Sequence, residues 1–216
     1  MTISVFLADD HQVMRDGLRT LIEAQPGIRV IGESGDGRET VRAVGRLKPD
    51  VVLMDIAMPG LNGIEATRQI RKKHPSVEVV VLSMYTTTEH VYRALEAGAR
   101  GYLLKECAGH EVVEALRAAK EGRRFLSGKL SERDVEDHRR GRAGRKAASP
   151  LERLSPRERE ILQLVVEGKS SAGIAKIVFL SPKTVETYRS RLMKKLDMDD
   201  LPTLIKYAVA NGLTNP

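Results

Sequence analysis

The feature that most constrains this chain is a rhythm in its first 124 residues. Short apolar runs alternate five times with longer amphipathic stretches. The runs at residues 4–7, 29–34, 51–54, 77–83 and 101–104 read as strands. The stretches 12–24, 38–47, 64–73, 88–97 and 110–121 read as helices, the first with Met14, Leu18, Leu21 and Ile22 on one face. Strands that are apolar at almost every position need cover on both faces, and a strand–helix alternation supplies it. The expectation is an α/β fold: a five-stranded, doubly wound parallel sheet over residues 1–126.

The remainder of the 216 residues follows other rules. Residues 127–150 are rich in charge and poor in large apolar side chains, and read as a linker, mobile at least in part. Residues 151–216 show helical periodicity and no strand-like alternation. Ser155-Pro156-Arg157-Glu158 has the form of a capping box with a first-turn proline, and Ser181-Pro182 starts a further helix in the same way. Four helices are expected, the last near residues 201–211. The single cysteine, Cys107, excludes an intrachain disulfide framework and a cysteine-rich zinc site. No apolar run approaches the roughly 18 residues of a membrane helix, and no signal peptide is expected. The chain reads as cytoplasmic, with no membrane partner.

Charge separates the two halves. The formal charge is +7. Residues 1–126 hold 18 basic and 17 acidic side chains, whereas residues 151–216 hold 11 and 8 and the linker 7 and 4. Most of the excess lies in the last 90 residues, so the hint of a polyanionic partner belongs there.

In an open parallel sheet, ligands bind beyond the carboxyl ends of the strands. The polar residues at those ends are Asp9 and Asp10 after strand 1, Asp55 after strand 3, Ser83 after strand 4 and Lys105 after strand 5. Three carboxylates in one small site repel, and Mg²⁺ suits an all-oxygen set. Asp55, leaving the central strand, is the best-placed nucleophile. Attack on a phosphoryl group would give an acyl phosphate, with Lys105 and Mg²⁺ balancing its oxygens and Ser83 donating a hydrogen bond. Taken singly, each residue has a plainer reading: an Asp-Asp pair as a helix cap, a lysine at a strand end as solvated, His11 as a helix-start residue, Cys107 as a small packed side chain.

Together they carry a resemblance. Leu7-Ala8-Asp9-Asp10-His11, Leu53-Met54-Asp55-Ile56-Ala57-Met58-Pro59-Gly60, Val81-Leu82-Ser83 and Gly101-Tyr102-Leu103-Leu104-Lys105 resemble the flavodoxin-like receiver domain of bacterial two-component response regulators. The resemblance implies phosphorylation of Asp55 by a histidine kinase. It implies Mg²⁺ held by Asp9, Asp10, Asp55 and the backbone carbonyl of Ala57. It also implies a switch pair, in which Ser83 moves toward the phosphoryl group and Tyr102 turns inward. Glu106 follows Lys105 where proline is common, and Met84 follows Ser83 where a small residue is common.

In the C-terminal part, residues 172–178 and 182–196 form a helix-turn-helix candidate, with Val185, Leu192 and Leu196 as an inward stripe. The other faces of the second helix carry five cations against one acid. The residues alone leave open a solvated basic face or a major-groove reader. The wider pattern, Leu154-Ser155-Pro156-Arg157-Glu158-Arg159-Glu160-Ile161-Leu162, Glu167-Gly168-Lys169-Ser170 and Leu180-Ser181-Pro182-Lys183-Thr184-Val185-Glu186-Thr187, resembles the LuxR-type domain of the NarL/FixJ class. That implies a transcription regulator, homodimeric on double-stranded DNA, with the last helix as a dimer contact. By analogy Glu186, Thr187 and Ser190 face base edges, and Lys183, Thr184, Arg191, Lys194 and Lys195 meet phosphates. Two other readings use the same residues: a regulator that binds DNA regardless of phosphorylation, and an aspartate-dependent phosphatase. Against the second, Ala57 stands where such enzymes place another aspartate.

Overall fold

The computed structural model describes residues 2–142 and 150–214. Two compact units divide at residues 139 and 140. In the first, β1 (Ile3–Ala8), β2 (Ile28–Ser34), β3 (Val51–Asp55), β4 (Glu78–Ser83), β5 (Gly101–Leu104) and β6 (Phe125–Leu126) form one sheet in the order β2-β1-β3-β4-β5-β6. Every neighbouring pair is parallel. The five expected strands are all present, but the sheet has six. β6 has two residues, too few for any periodicity, and its place is decided by pairing with Gly101 and Tyr102 on β5.

Alternation along the strands builds two cores. Val5, Leu7, Val51, Leu53, Val80, Leu82 and Leu103 point to one face, where α1 (Gln12–Glu23) and α5 (Ala108–Lys120) supply Leu18, Ile22, Val112 and Leu116. The intervening residues point to the other face. There Phe6, Val52 and Met54 meet α2 (Gly37–Leu47) and α3 (Gly63–Lys73), and Val81, Tyr102 and Leu104 meet α4 (Thr88–Glu96). The central strands β1, β3, β4 and β5 are thus covered on both sides, the physical reason their sequences are almost wholly apolar, whereas edge strand β2 exposes Arg29 and Glu33.

The stretch expected as a linker starts inside this unit. Ser127 is fully buried: its N–H donates to the Tyr102 carbonyl at 2.9 Å, and its hydroxyl accepts the Leu104 N–H at 3.1 Å. A helix, α6 (Glu132–Arg142), follows. Val135 packs with Leu126, Leu130, Tyr102 and Val91, and His138 lies 3.1 Å from Glu89 on α4. One apolar residue in about three turns is a weak helical signal in sequence, and only the α4–β5 surface makes it an anchored helix. Residues 143–149, the rest of that expected linker, lie outside the described residues together with 215 and 216.

The second unit is helical. α7 (Pro156–Val166), α8 (Ser171–Val178), α9 (Pro182–Leu196) and α10 (Leu201–Ala210) are the four helices expected. Ser155 and Glu158 form the capping box, and Ser170, Ser181 and Asp200 cap the other three. Val185, Leu192 and Leu196 are all buried, sharing a core with Ile161, Leu162, Ile174, Val178 and Leu204. No helix among the described residues is long and apolar enough to cross a membrane.

Gly63 lets the loop after β3 close against the strand end. A Cβ on Gly63 would stand 1.9 Å from the Asp55 carbonyl oxygen, whereas one on Gly17 of α1 would meet nothing within 4 Å. Gly63→Ala is expected to destabilise the first unit by about 3 kcal/mol, because backbone rather than a side chain must yield. Gly17→Ala is expected to stabilise it by about 1 kcal/mol through helix propensity. Urea unfolding of the two variants checks both signs.

Candidate functional site

The sheet order reverses between β1 and β3, and the crevice at that switch point is where an open α/β sheet binds ligands. Asp9 and Asp10 follow β1, and Asp55 is the last residue of β3, so parallel strands deliver all three carboxyl groups to the same rim. Lys105 leaves β5 on the same rim and reaches back across it. Its ammonium lies 2.8 Å from Asp9 Oδ2 and 3.0 Å from Asp55 Oδ2. Asp9 and Asp55 are 1% and 4% exposed, while Asp10 is half-buried. Candidate ligand atoms of Asp9, Asp10, His11 and Asp55 lie within 4.8 Å of one another.

These charges set the chemistry. Burial, reinforced by the Asp9 and Asp10 carboxylates against the opposing pull of Lys105, pushes the Asp55 carboxyl up to about 6. Burial alone would lower Lys105, but the Asp55 and Asp9 carboxylates outweigh it and hold the ammonium above its ordinary value. One ammonium bridges Asp9 and Asp55, with a third carboxyl group, Asp10, beside them. The donor set is oxygen apart from the His11 ring, and it fits a hard divalent cation that keeps several waters.

The structure adds two residues that sequence reasoning left outside the site. His11 begins α1, as expected, and its Nδ1 also lies 2.7 Å from Asp10 Oδ1 and 3.3 Å from Asp9 Oδ1. Arg15 donates to the Asp9 carbonyl at 2.7 Å, tying the first turn of α1 to the acidic loop. The spacing of Arg15 one helical turn past His11 was the available signal, but a bond to a backbone oxygen leaves no mark in sequence.

Ser83 ends β4, fully buried, and its hydroxyl accepts the Tyr85 N–H at 3.0 Å. Tyr102 lies inward on β5, and its phenol donates to the Tyr85 carbonyl at 2.8 Å. Burial pushes that phenol far above its ordinary range. Tyr85 in turn stacks on His90 of α4, with ring centroids 4.4 Å apart and planes 7° apart. Ser83, Tyr85, Tyr102 and α4 therefore form one packed series. Ala57 is buried in the loop after Asp55, and Met84 is exposed beside the rim.

In the helical unit, α9 is held from behind. Arg189 donates to the Ser171 hydroxyl on α8 at 3.2 Å, and Lys195 donates to Glu158 on α7 at 2.7 Å. Lys183, Glu186, Thr187, Ser190, Arg191 and Lys194 are exposed. Thr184 is half-buried, its hydroxyl 2.8 Å from that of the cap Ser181, and the Thr187 hydroxyl donates to the Lys183 carbonyl at 3.0 Å. Of the eight residues expected at DNA, seven are exposed; Lys195 is one of them, though its ammonium pairs with Glu158 on α7, and half-buried Thr184 turns its hydroxyl toward the cap.

Comparison with known proteins agrees with both halves. Residues 5–117 match the family model described as response regulator receiver domain, and residues 152–208 match bacterial regulatory proteins, luxR family. The chain is 42% identical over 213 residues to the transcriptional regulatory protein LiaR of Bacillus subtilis (strain 168), covering 99% of this chain and 100% of that one. It is 36% identical over 217 residues to the response regulator UvrY of Escherichia coli (strain K12), covering 99% and 96%. Among solved structures it is similar to the two-component response regulator RcsB in complex with DNA, with a TM-score of 0.60, 28% identity, and 98% and 99% of the two chains covered.

A carboxyl group whose pKa is raised on folding binds protons more tightly in the folded state. Its ionisation therefore costs stability above the folded pKa, and the cost vanishes below the unfolded value. Asp55→Asn is expected to stabilise the metal-free first unit at pH 8 by on the order of 1–3 kcal/mol, with the gain fading toward pH 4. Urea unfolding in a chelator at the two pH values checks it; a gain equal at both would contradict the assignment.

Proposed function

Because this chain belongs to the bacterial response regulators that join a receiver domain to a LuxR-family DNA-binding domain, we propose that Asp55 is its phosphoacceptor. The observation that carries the reading is the Lys105 ammonium bridging Asp55 and Asp9 at the switch point of the sheet. The donor is a phosphohistidine of a partner kinase. A carboxylate oxygen of Asp55 attacks phosphorus, and the phosphorus–nitrogen bond breaks with its electron pair passing to the imidazole, which takes a proton from solvent. The product is an acyl phosphate on Asp55. Lys105 pairs with one phosphoryl oxygen, and the Ser83 hydroxyl donates to another. Asp9, Asp10, Asp55 and the Ala57 carbonyl would hold Mg²⁺, whose charge would neutralise the phosphoryl oxygens.

The phosphoryl group alters output through differential stability of two arrangements. Drawing Ser83 toward it releases the Tyr85 N–H, and Tyr85 is the residue that Tyr102 and His90 share. The output is binding of double-stranded DNA by α9. Glu186, Thr187 and Ser190 face base edges, and Lys183, Arg191 and Lys194 meet phosphates, with Lys195 and Thr184 positioning the helix. α10 carries exposed Leu201 and Ile205, which support its use as the contact in a homodimer.

Asp55→Asn is expected to abolish phosphodonor-dependent DNA binding in a gel-shift assay on pooled genomic fragments. A full donor response in that variant would sink the mechanism. Stoichiometric acyl phosphate distinguishes a receiver from a phosphatase, which would turn over a phosphoester many times. Lys194→Ala is expected to weaken binding to all sequences alike and to flatten the salt dependence by about 0.9 in log–log slope. A loss confined to one base position would contradict the phosphate assignment.

A further inference from the structure

Phe179, in the turn between α8 and α9, carries two costs at one position. Its φ of 55° and ψ of 50° are left-handed, a conformation in which a Cβ crowds the following carbonyl and which Gly or Asn adopts more readily. Its side chain is also 92% exposed, more than any other large apolar residue among those described. The backbone conformation is imposed by the turn. The Phe179 and Leu180 N–H groups both donate to the Ala175 carbonyl, the second at 3.0 Å, and the Arg157 guanidinium holds the Val178 carbonyl. These bonds set the angle at which α9 leaves α8, and none of them uses the ring. The core beneath the turn is made by Ile174, Ala175 and Val178, with Leu180 packed against it and Phe179 absent from it.

A single exposed apolar side chain calls for no explanation. Exposure added to backbone strain does, because both costs would vanish with glycine at the same place. The location supplies a reason. The turn immediately precedes the N-terminus of α9, the end of a reading helix that meets base edges, so the chain here passes the rim of the major groove. Exposed Lys176 and Lys183 flank it in sequence with charge complementary to the rim. Between the phosphates of that rim, the apolar surface on offer is the C–H face of deoxyribose.

We propose that Phe179 is a DNA-contact residue, its ring laid on a deoxyribose of the strand that borders the groove entered by α9. The proposal rests on the DNA-binding reading above and extends it to an uncharged contact. Such a contact releases no counterion and reads no base edge. It adds affinity to every sequence alike and leaves the salt slope untouched, a signature unlike that of a lysine–phosphate pair or of a base reader.

The test uses the full-length phosphorylated protein on a random duplex library and on one duplex recovered from it. Phe179→Gly is expected to keep or raise Tm while weakening binding on the order of tenfold, the scale of an apolar contact made by part of an aromatic ring. The loss is uniform across sequences, with the salt slope unchanged. Phe179→Tyr, which keeps the ring, binds like wild type. Wild-type affinity in the Gly variant would overturn the proposal, as would a loss confined to one base position, a reduced salt slope or a lowered Tm. If the wild-type protein bound no duplex at all, the DNA-binding reading itself would fail, an outcome distinct from equal binding by wild type and variant.

Discussion

Lys105 stands between Asp9 and Asp55, and the first unit is arranged around that bridge. The two carboxyl groups arrive on different strands, β1 and β3, which are neighbours because the sheet order reverses there. The lysine arrives from β5, two strands away, and only a long side chain spans the rim. Remove the ammonium, and three buried or half-buried acids crowd one rim without the cation that bridges two of them. Keep it, and Asp55 is still held up to about 6 by burial. Burial thus makes a full negative charge on Asp55 costly, and a bound divalent cation would offset that cost.

The same bridge bears on the switching proposed above. Lys105 divides its hydrogen bonds between Asp55 and Asp9, so a phosphoryl group on Asp55, as proposed above, would have to share them. Ser83 sits on the adjacent strand, and its hydroxyl already accepts from Tyr85, whose carbonyl receives the Tyr102 phenol. Tyr85 stacks on α4, and α4 pairs with α6 through Glu89 and His138. A tightly packed series of this kind has few intermediate positions, and changes in it tend to be discrete. In the second unit the analogous rigid frame is the set of helix caps and the two bonds behind α9, from Arg189 and Lys195, which fix one face of the helix and leave the other at the surface.

Much of this was legible in residues. The five apolar runs located five strands, and the acidic and basic residues past their ends named Asp9, Asp10, Asp55, Ser83 and Lys105 as one group. The stripe Val185, Leu192 and Leu196 oriented α9 correctly, because helical periodicity is set by local geometry and survives into the fold. What escaped was short or relational. β6 has two residues and exists only because β5 offers an open edge. α6 has one apolar anchor, Val135, and its order comes from the surface beneath it. His11 and Arg15 join the site through a side-chain contact and a backbone carbonyl, neither of which has a sequence pattern.

The sequence by itself determined the alternation of strand and helix, the residue types gathered at the rim, the caps and the basic helix, all of which follow from periodicity and local hydrogen bonding. Only the tertiary structure decided that one ammonium serves two carboxylates, that the exposed Lys195 pairs its ammonium with Glu158, and that Phe179 takes a left-handed turn with its ring in solvent. The reason is distance. Residues far apart in the chain acquire partners, burial and shifted charge states only when packing brings them together, and one-dimensional spacing holds no record of that.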